Sequence, residues 1–336
     1  MALSRAVPRA TAGSVDELVA GVTRREVLAA ADAKSGSVLE RVEIGGRALV
    51  LKVMHPDGDW IGRTLGDLCC WPVQVWASGL LDLVPPSIDH AVVGAADRVG
   101  RHGWGGALLM EDVGPWLIPE GDEPITLEEH AGFISSMADL QSAFWGFQDD
   151  SRLLSMAGRF GFFSPGTMAV EEALGFPHLV PRIAADGWGR LAARPGPVVA
   201  GILDLWRDPQ PLVTALAATP QTFLQGDWKL GNLGRRPDGR TILLDWAYPG
   251  QGPATWELTW YLALNAARLP ETKEATVTRH RRALEARGVE VAAWWDRQLA
   301  LALLAGMVVF GWEKVLGSDE EFGWWLDRAG EGLAIL

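Results

Sequence analysis

Cysteine is almost missing from this chain. Of 336 residues only Cys69 and Cys70 carry thiols, and neighbours in sequence are badly placed for an unstrained disulfide with each other. No disulfide framework is therefore expected, and a reducing cytoplasm suits the chain. Histidine is sparse as well, with six residues, and no pair of His or Cys has zinc-ligand spacing. His55 and His90 flank expected strands, but no Ser or Cys nucleophile with a supporting acid lies beside either. The Gly-x-x-x-x-Gly-Lys-Ser/Thr phosphate loop is also missing. Basic residues are the minority charge, 30 against 42 acidic, for a net charge of -12. That balance repels a phosphate backbone, so nucleic acid is not an expected partner, and it attracts cationic small molecules. The longest apolar run, Leu299 to Phe310, is too short to span a bilayer, and the N-terminal residues lack a continuous apolar segment. Neither a membrane span nor a targeting segment is expected.

What the chain has in quantity is hydrophobic residues, 48%, and tryptophan, 17 residues. That is enough for one large core or two modest ones. Most of the indoles are expected in the core or between helices, and some as a stacking surface for a ligand ring. The first part reads as strand-rich. Ser37 to Ile44 and Arg47 to Met54 are β-branched runs joined at Gly45-Gly46, a two-residue hairpin turn, with Lys52 inside the second. A helix is expected over Val73 to Leu83, ended by Pro85-Pro86, and strands over His90 to Ala95 and Ala107 to Met110. After Gly114 the pattern turns helical. Thr126 and Glu129 form a capping box that opens a long helix from Leu127 to Trp145. Arg152 to Pro211, rich in Gly and Pro, reads as loops and short helices. A short strand at Phe223-Leu224, a hairpin across Arg235 to Asp245, and helices from about Pro253, Glu271, Val291 and Asp319 complete the reading. The expected fold is α+β, in two lobes: a small β-rich lobe at 1-113 and a larger, mainly helical lobe at 114-336.

The segment Leu224-Gln-Gly-Asp-Trp-Lys-Leu-Gly-Asn-Leu-Gly234, followed by Ile242-Leu-Leu-Asp-Trp246, carries the chemistry. Phosphoryl transfer needs a carboxylate to orient an attacking hydroxyl and take its proton, and oxygen ligands for magnesium bridging the nucleotide phosphates. Asp227, Asn232 and Asp245 are of those types. The five-residue step from Asp227 to Asn232 is the Asp-x-x-x-x-Asn of a kinase catalytic loop. Asp245 ends an apolar run from Thr241, so its carboxylate is expected at the rim of a buried strand. The plain alternative is that these residues shape turns and caps, where Asp and Asn are common.

These motifs resemble the aminoglycoside phosphotransferase family, relatives of the protein kinases that include choline and fructosamine kinases. That family reads His-Gly-Asp-x-x-x-x-Asn, then an apolar strand and Asp-Trp or Asp-Phe; here the residues are Gln225-Gly226-Asp227 to Asn232 and Asp245-Trp246. The resemblance covers most of the chain. It implies a protein-kinase-like fold, Asp227 as catalytic base and Asn232 and Asp245 as Mg2+ ligands. It implies also that Lys52 contacts the α- and β-phosphates of ATP or GTP. Met110, Asp112 and Val113 would be the hinge for the base, and Ala33 to Ser37, including Ser35, Gly36 and Ser37, the loop over the phosphates.

Two departures stand out. Gln225 replaces the usual histidine, and a glutamine still donates and accepts. Kinase lysines are held by a glutamate on the following helix, yet between Val53 and Pro85 the acids are Asp57, Asp59, Asp67 and Asp82. The register that suits the family puts Pro72 near the glutamate's position. Asp67 is the candidate substitute, with an exposed loop aspartate as its plainer reading. Glu257 is placed to bind a cationic acceptor or to support the loop, and Asp149 and Asp150 to line an acidic acceptor pocket or simply to be solvated. The expected activity is transfer of a γ-phosphate to a hydroxyl of a small molecule, an antibiotic such as an aminoglycoside or another natural product. The alternatives are a metabolic kinase of sugars, amino sugars or choline-like alcohols, and a non-catalytic nucleotide-binding protein. A cytoplasmic monomer or homodimer, with neither nucleic acid nor membrane as partner, is expected.

Overall fold

A computed structural model describes residues 6–28, 35–100, 102–150, 153–175 and 179–336. The chain is mixed α+β, with a β-rich N-terminal sheet and a helical C-terminal part.

A short helix α1 (Val15–Leu18), capped by Ser14, leads into strands β1 (Val22–Val27), β2 (Val38–Ile44) and β3 (Arg47–Met54). The turn between β2 and β3 is the expected one: Gly45 and Gly46 both take positive φ, 58° and 75°, as a primed hairpin turn requires. Helices α2 (Trp60–Leu65) and α3 (Trp71–Ala77), then strands β4 (Ile88–Asp89), β5 (Val92–Val99) and β6 (Gly105–Glu111), follow. The sheet order is β1-β2-β3-β6-β5, antiparallel throughout. Alternation along β3 divides its side chains. Leu49, Leu51 and Val53 belong to a small cluster with Val42, Ala107 and Leu109 on one face. Val50 and Met54 join the main core on the other, so Lys52, between them in the alternation, emerges toward the helical part.

The helix expected over Val73 to Leu83 is shorter. Gly79 breaks it with φ 77°, and a side chain there would collide with the Val7 carbonyl; a 3₁₀ turn over Leu80–Leu83 fills the remainder. Helix α2 and strand β1 were not anticipated.

The helical part comprises α4 (Leu127–Ala143), α5 (Met156–Gly161), α6 (Pro165–Ala173), α7 (Leu179–Ala192), α8 (Pro197–Arg207) and α9 (Gln210–Ala217). Beyond them come β7 (Gln221–Leu224), β8 (Leu233–Arg235), β9 (Thr241–Leu243), β10 (Gly250–Pro253), α10 (Ala254–Asn265), α11 (Lys273–Glu285), α12 (Trp295–Lys314) and α13 (Asp319–Ile335). The capping box of α4 is present, with Thr126 Oγ1 accepting from Glu129 N and the Glu129 carboxylate accepting from Thr126 N. The stretch expected to be irregular is mostly helical. Its Pro165 and Pro197 stand in first turns, where a missing N–H costs nothing, and Ser155 and Ser164 cap helix starts. Helices α10 and α12 are buried on nearly all sides and form the centre of the main core. Among the described residues no helix is long and apolar enough to cross a membrane.

Candidate active site

Strand β7 delivers the loop that bears Asp227. Gln225, fully buried, staples this loop to the end of β9: its Nε2 donates to the carbonyls of Leu244 (2.9 Å) and Asp245 (2.6 Å), and its Oε1 accepts from Asp227 N (2.8 Å). One side chain thus sets the relative position of both key carboxylates. Gly226 has φ 88°, and a Cβ there would collide with the Tyr248 carbonyl. Its N–H donates to Glu257 Oε1 at 2.9 Å. Near the other end of α10, Asn265 Oδ1 accepts from Leu230 N at 2.9 Å. The helix therefore clamps the loop from beneath at two points. Of the two readings of Glu257, the geometry gives loop support: the residue is wholly buried. Burial pushes its carboxyl up to about 7, against the pull of the Gly226 and Gln225 amides and of Arg159.

Both oxygens of Asp227 are engaged. Oδ1 accepts from the Trp260 indole at 2.9 Å; Oδ2 accepts from Lys229 Nζ at 2.7 Å and from Asn232 Nδ2 at 2.8 Å. Asn232 Nδ2 also donates to the Asp227 carbonyl at 2.9 Å, and the Asn232 carbonyl accepts from Leu244 N at 2.9 Å. Lys229 and Trp260 were not read from the sequence. A signal for Lys229 existed, since it is the one basic residue within the Asp-x-x-x-x-Asn step.

Asp245 lies just beyond β9 with φ 56°, left-handed backbone that an Asp tolerates at some cost and that clusters at functional sites. Its Oδ1 accepts from Lys52 Nζ at 2.8 Å, across 193 residues of sequence. Burial alone would raise the Asp245 carboxyl, but Lys52 and Lys229 outweigh it and hold it below the ordinary carboxylate range. Lys52 responds in kind: burial would lower its ammonium, and Asp245, Asp59 and Asp227 together raise it. Burial likewise acts to lower Lys229, and Asp227 and Asp245 raise it.

A second acid whose charge raises Lys52, after Asp245, is Asp59, the N-cap of α2. Its Oδ1 accepts from Ile61 N (3.0 Å) and Gly62 N (3.2 Å), and its Oδ2 accepts from Ser37 Oγ (2.7 Å). Ser35 Oγ lies 2.9 Å from Ser37 Oγ, and Gly36 between them has φ 90°. The end of the expected phosphate loop is thereby tied to the acid that acts on Lys52; Ala33 and Lys34 lie outside the described residues. Asp67 is not the substitute, nor is it an exposed loop residue. It is buried and caps the backbone of Cys69 (3.1 Å) and Trp71 (2.7 Å), and burial raises its carboxyl to about 6.

The residues fit a magnesium ion. Both hydrogens of the Asn232 amide are committed to Asp227, which leaves Oδ1 as its oxygen for a ligand, and Asp245 is kept ionised beside it. Among the described residues no group of three His, Cys, Asp or Glu forms a metal cluster. One carboxylate and one amide oxygen suit an ion that takes its remaining ligands from water and nucleotide phosphates. At the far end of β6, Met110 and Val113 are buried. The Asp112 carboxylate is occupied by Arg41 Nε (2.8 Å) and Gly114 N (3.2 Å), so that side chain holds the turn.

Beside Asp227 opens a cavity of about 530 Å³, lined from the loop by Lys229 and Leu230, from α10 by Trp260 and from α12 by Phe310 and Trp312. Asp149 and Asp150 are not among its lining residues. Asp149 sits after α4, its N–H donating to Gln251 (3.0 Å) and its carboxylate accepting from Leu153 N (2.7 Å); Asp150 is exposed.

No family model matches the chain, and no curated protein matches it. Solved structures do. Choline kinase LicA from Streptococcus pneumoniae is 12% identical, with 96% of each chain covered and a TM-score of 0.50. The same protein in complex with AMP is 14% identical over 93% of each chain, again at 0.50. An aminoglycoside phosphotransferase from Alicyclobacillus acidocaldarius is 14% identical, covering 94% of this chain and 91% of its own, at 0.43. At these identities the likeness speaks for architecture, and the protein accordingly has the protein-kinase-like α+β fold of choline kinase.

Proposed function

We propose that the protein is a nucleotide-dependent O-phosphotransferase that moves the γ-phosphoryl group of ATP or GTP to a hydroxyl of a small molecule. The observation that carries this reading is the convergence of Lys52, Asp227, Asn232 and Asp245, drawn from separate elements, on one site. Residues 1-113 serve the nucleotide and residues 114-336 the acceptor, in this reading. Met110, Asp112 and Val113 meet the base through backbone atoms, and Ser35, Gly36 and Ser37 lie over the phosphates. Asn232 and Asp245 would hold magnesium, which when bound would supply charge compensation for the transferred phosphoryl group.

Asp227 receives the acceptor's O–H and takes its proton as the hydroxyl oxygen bonds to the γ-phosphorus. The bond from that phosphorus to the bridging oxygen breaks, and the nucleoside diphosphate leaves. Trp260 and Asn232 fix the carboxylate for this, and Lys52 holds the nucleotide, so catalysis is positioning and electrostatics. Two features favoured a non-catalytic binder, and each has a physical answer. Gln225 supports the loop by three hydrogen bonds, and Asp245, with a smaller part from Asp59, supplies negative charge at Lys52.

The acceptor is an antibiotic or related natural product in this reading. The test is a mass-spectrometric screen of the protein with magnesium, ATP and GTP against antibiotics and small hydroxyl metabolites. Gain of one phosphate on a panel member, lost in Asp227→Asn, supports the reading. Nucleotide binding that is indifferent to magnesium, and no product from either nucleotide, contradicts it.

A further inference from the structure

Arg159, on α5, is wholly buried, and none of its three side-chain nitrogens has a hydrogen-bond partner among the described residues. Burial lowers it to about 10, so it is still charged at neutral pH. Holding a guanidinium away from water is costly unless an opposite charge is near. Its position supplies one. The start of α5 is tied to the chain beyond Asp245 by Leu154 N, which donates to the Pro249 carbonyl at 2.9 Å. Arg159 Nη1 then stands 2.6 Å from where a Cβ on Gly226 would lie. The guanidinium therefore packs against the residue that precedes Asp227, and glycine leaves room for it. The N–H of the same glycine donates to Glu257 Oε1 at 2.9 Å. One loop residue thus touches a buried cation and a buried carboxylate, and each of these favours the charged form of the other.

The other groups around Glu257 are neutral or engaged elsewhere. From α4 comes Gln141, with Nε2 3.5 Å from Glu257 Oε2. From α11 comes His280, 2.8 Å from Gln141 Oε1 and kept neutral because burial lowers it to about 3. From α12 comes Gln298, bonded to Thr255, while the α12 cation Lys314 bonds the Ala263 carbonyl at the opposite end of α10. Burial keeps Tyr248 neutral, and the Asp227 carboxylate is paired with Lys229.

Glu257 faces donors: the Gly226 and Gln225 amides and the Gln141 side chain. An ionised carboxylate accepts from all of them, and such bonds are roughly twice as strong as neutral ones. A protonated carboxyl would turn a hydrogen toward groups that are themselves donors. The charge state of Glu257 thus decides how firmly the two residues before Asp227 are held.

Resting on the phosphotransferase reading, we infer that Arg159 is a positioning residue for the reaction. Its buried charge keeps Glu257 a carboxylate, and that carboxylate holds the Gln225-Gly226 backbone, and with it Asp227, in place.

The experiment compares the native protein, Arg159→Met, Arg159→Lys, Glu257→Gln and the double variant Arg159→Met with Glu257→Gln. Melting curves across pH read the charge pair without catalysis. Stability falls above about pH 4.5 until Glu257 ionises in the folded protein, so the native curve should level above about pH 7. Arg159→Met should go on losing stability for about one further pH unit, and Arg159→Lys should level with the native protein. In the Glu257→Gln background, the effect of Arg159→Met should be flat with pH. Turnover of magnesium-ATP to ADP, with a pool of small-molecule alcohols, reads the positioning. In Arg159→Met, kcat should fall about fivefold at pH 7 and recover by about pH 9, with KM for ATP unchanged. A levelling point that does not move, or a kcat lowered equally at every pH, overturns the inference and leaves phosphoryl transfer standing. Should Arg159→Met fail to fold, folding of the double variant supports the pairing, and failure of both overturns it. No ADP from the native protein overturns the phosphotransferase reading and the positioning role with it, and the melting curves then report on the charge pair alone.

Discussion

The indole N–H of Trp260 donates to Asp227 Oδ1 at 2.9 Å while Lys229 and Asn232 hold Oδ2. An aromatic residue of the cavity wall thus fixes the Asp227 carboxylate. Trp260→Phe keeps the ring and removes the donor. A hydrogen bond to a charged group is worth roughly 1.5–3 kcal/mol. The variant should lose about tenfold in kcat, with KM for the nucleotide little changed, as steady-state kinetics would show. Equal loss in Trp260→Ala and Trp260→Phe would support the role of the donor over that of the ring.

Asp59 and Asp67 make a paired comparison. Asp59→Asn preserves an N-cap of similar quality and removes the charge that acts on Lys52. KM for ATP should rise about tenfold, with a small change in melting temperature. Asp67→Asn, at a buried cap, should alter melting temperature and leave KM for ATP as it was. Titration of both variants by nucleotide binding separates the two acids.

Gln225→Ala strands two carbonyls and one amide that the side chain now serves. Unsatisfied buried groups cost about 1–3 kcal/mol each, with partial relaxation. A loss of about 2–4 kcal/mol in denaturant unfolding is expected, together with a fall in kcat, because the spacing of Asp227 and Asp245 is no longer set. Gln225→His, which keeps a ring donor, should fall between alanine and the native protein.

Glu257 gives stability a pH dependence of known sign. Its folded pKa, about 7, lies above the ordinary carboxyl value, so its contribution is fully present below about pH 4.5 and is lost as pH rises through about 7. Glu257→Gln keeps an acceptor for the Gly226 amide and cannot ionise. The native protein should therefore lose stability relative to this variant between about pH 4.5 and pH 7, by on the order of 3 kcal/mol. Melting curves of the two proteins across that range check it; a difference that stays flat contradicts the burial of an ionisable carboxyl under the loop.

How much of this was legible beforehand depended on whether the signal was local. The Asp227 to Asn232 step, the apolar run into Asp245 and the strand that carries Lys52 are short-range patterns, and the structure brings those residues together. The hairpin at Gly45-Gly46 and the capping box at Thr126 were legible for the same reason. Asp59 was not, because it acts from the N-cap of a six-residue helix, too short to show periodicity. Trp260 and Phe310 lie on helices that are buried nearly all round, where no apolar stripe marks the side that faces a cavity. The prolines and glycines between Arg152 and Pro211 read as loop because several are helix-start residues, and composition alone does not tell a first turn from a break.

The central claim is tested most directly by phosphorus NMR of one reaction. It contains the protein, magnesium, ATP and a pool of small-molecule alcohols, alongside the same reaction with Asp227→Asn. A new phosphomonoester resonance that grows as the ATP γ-signal declines is expected, and is expected to be lost in the variant. A γ-signal that decays only to inorganic phosphate, at the same rate in both proteins, would contradict it.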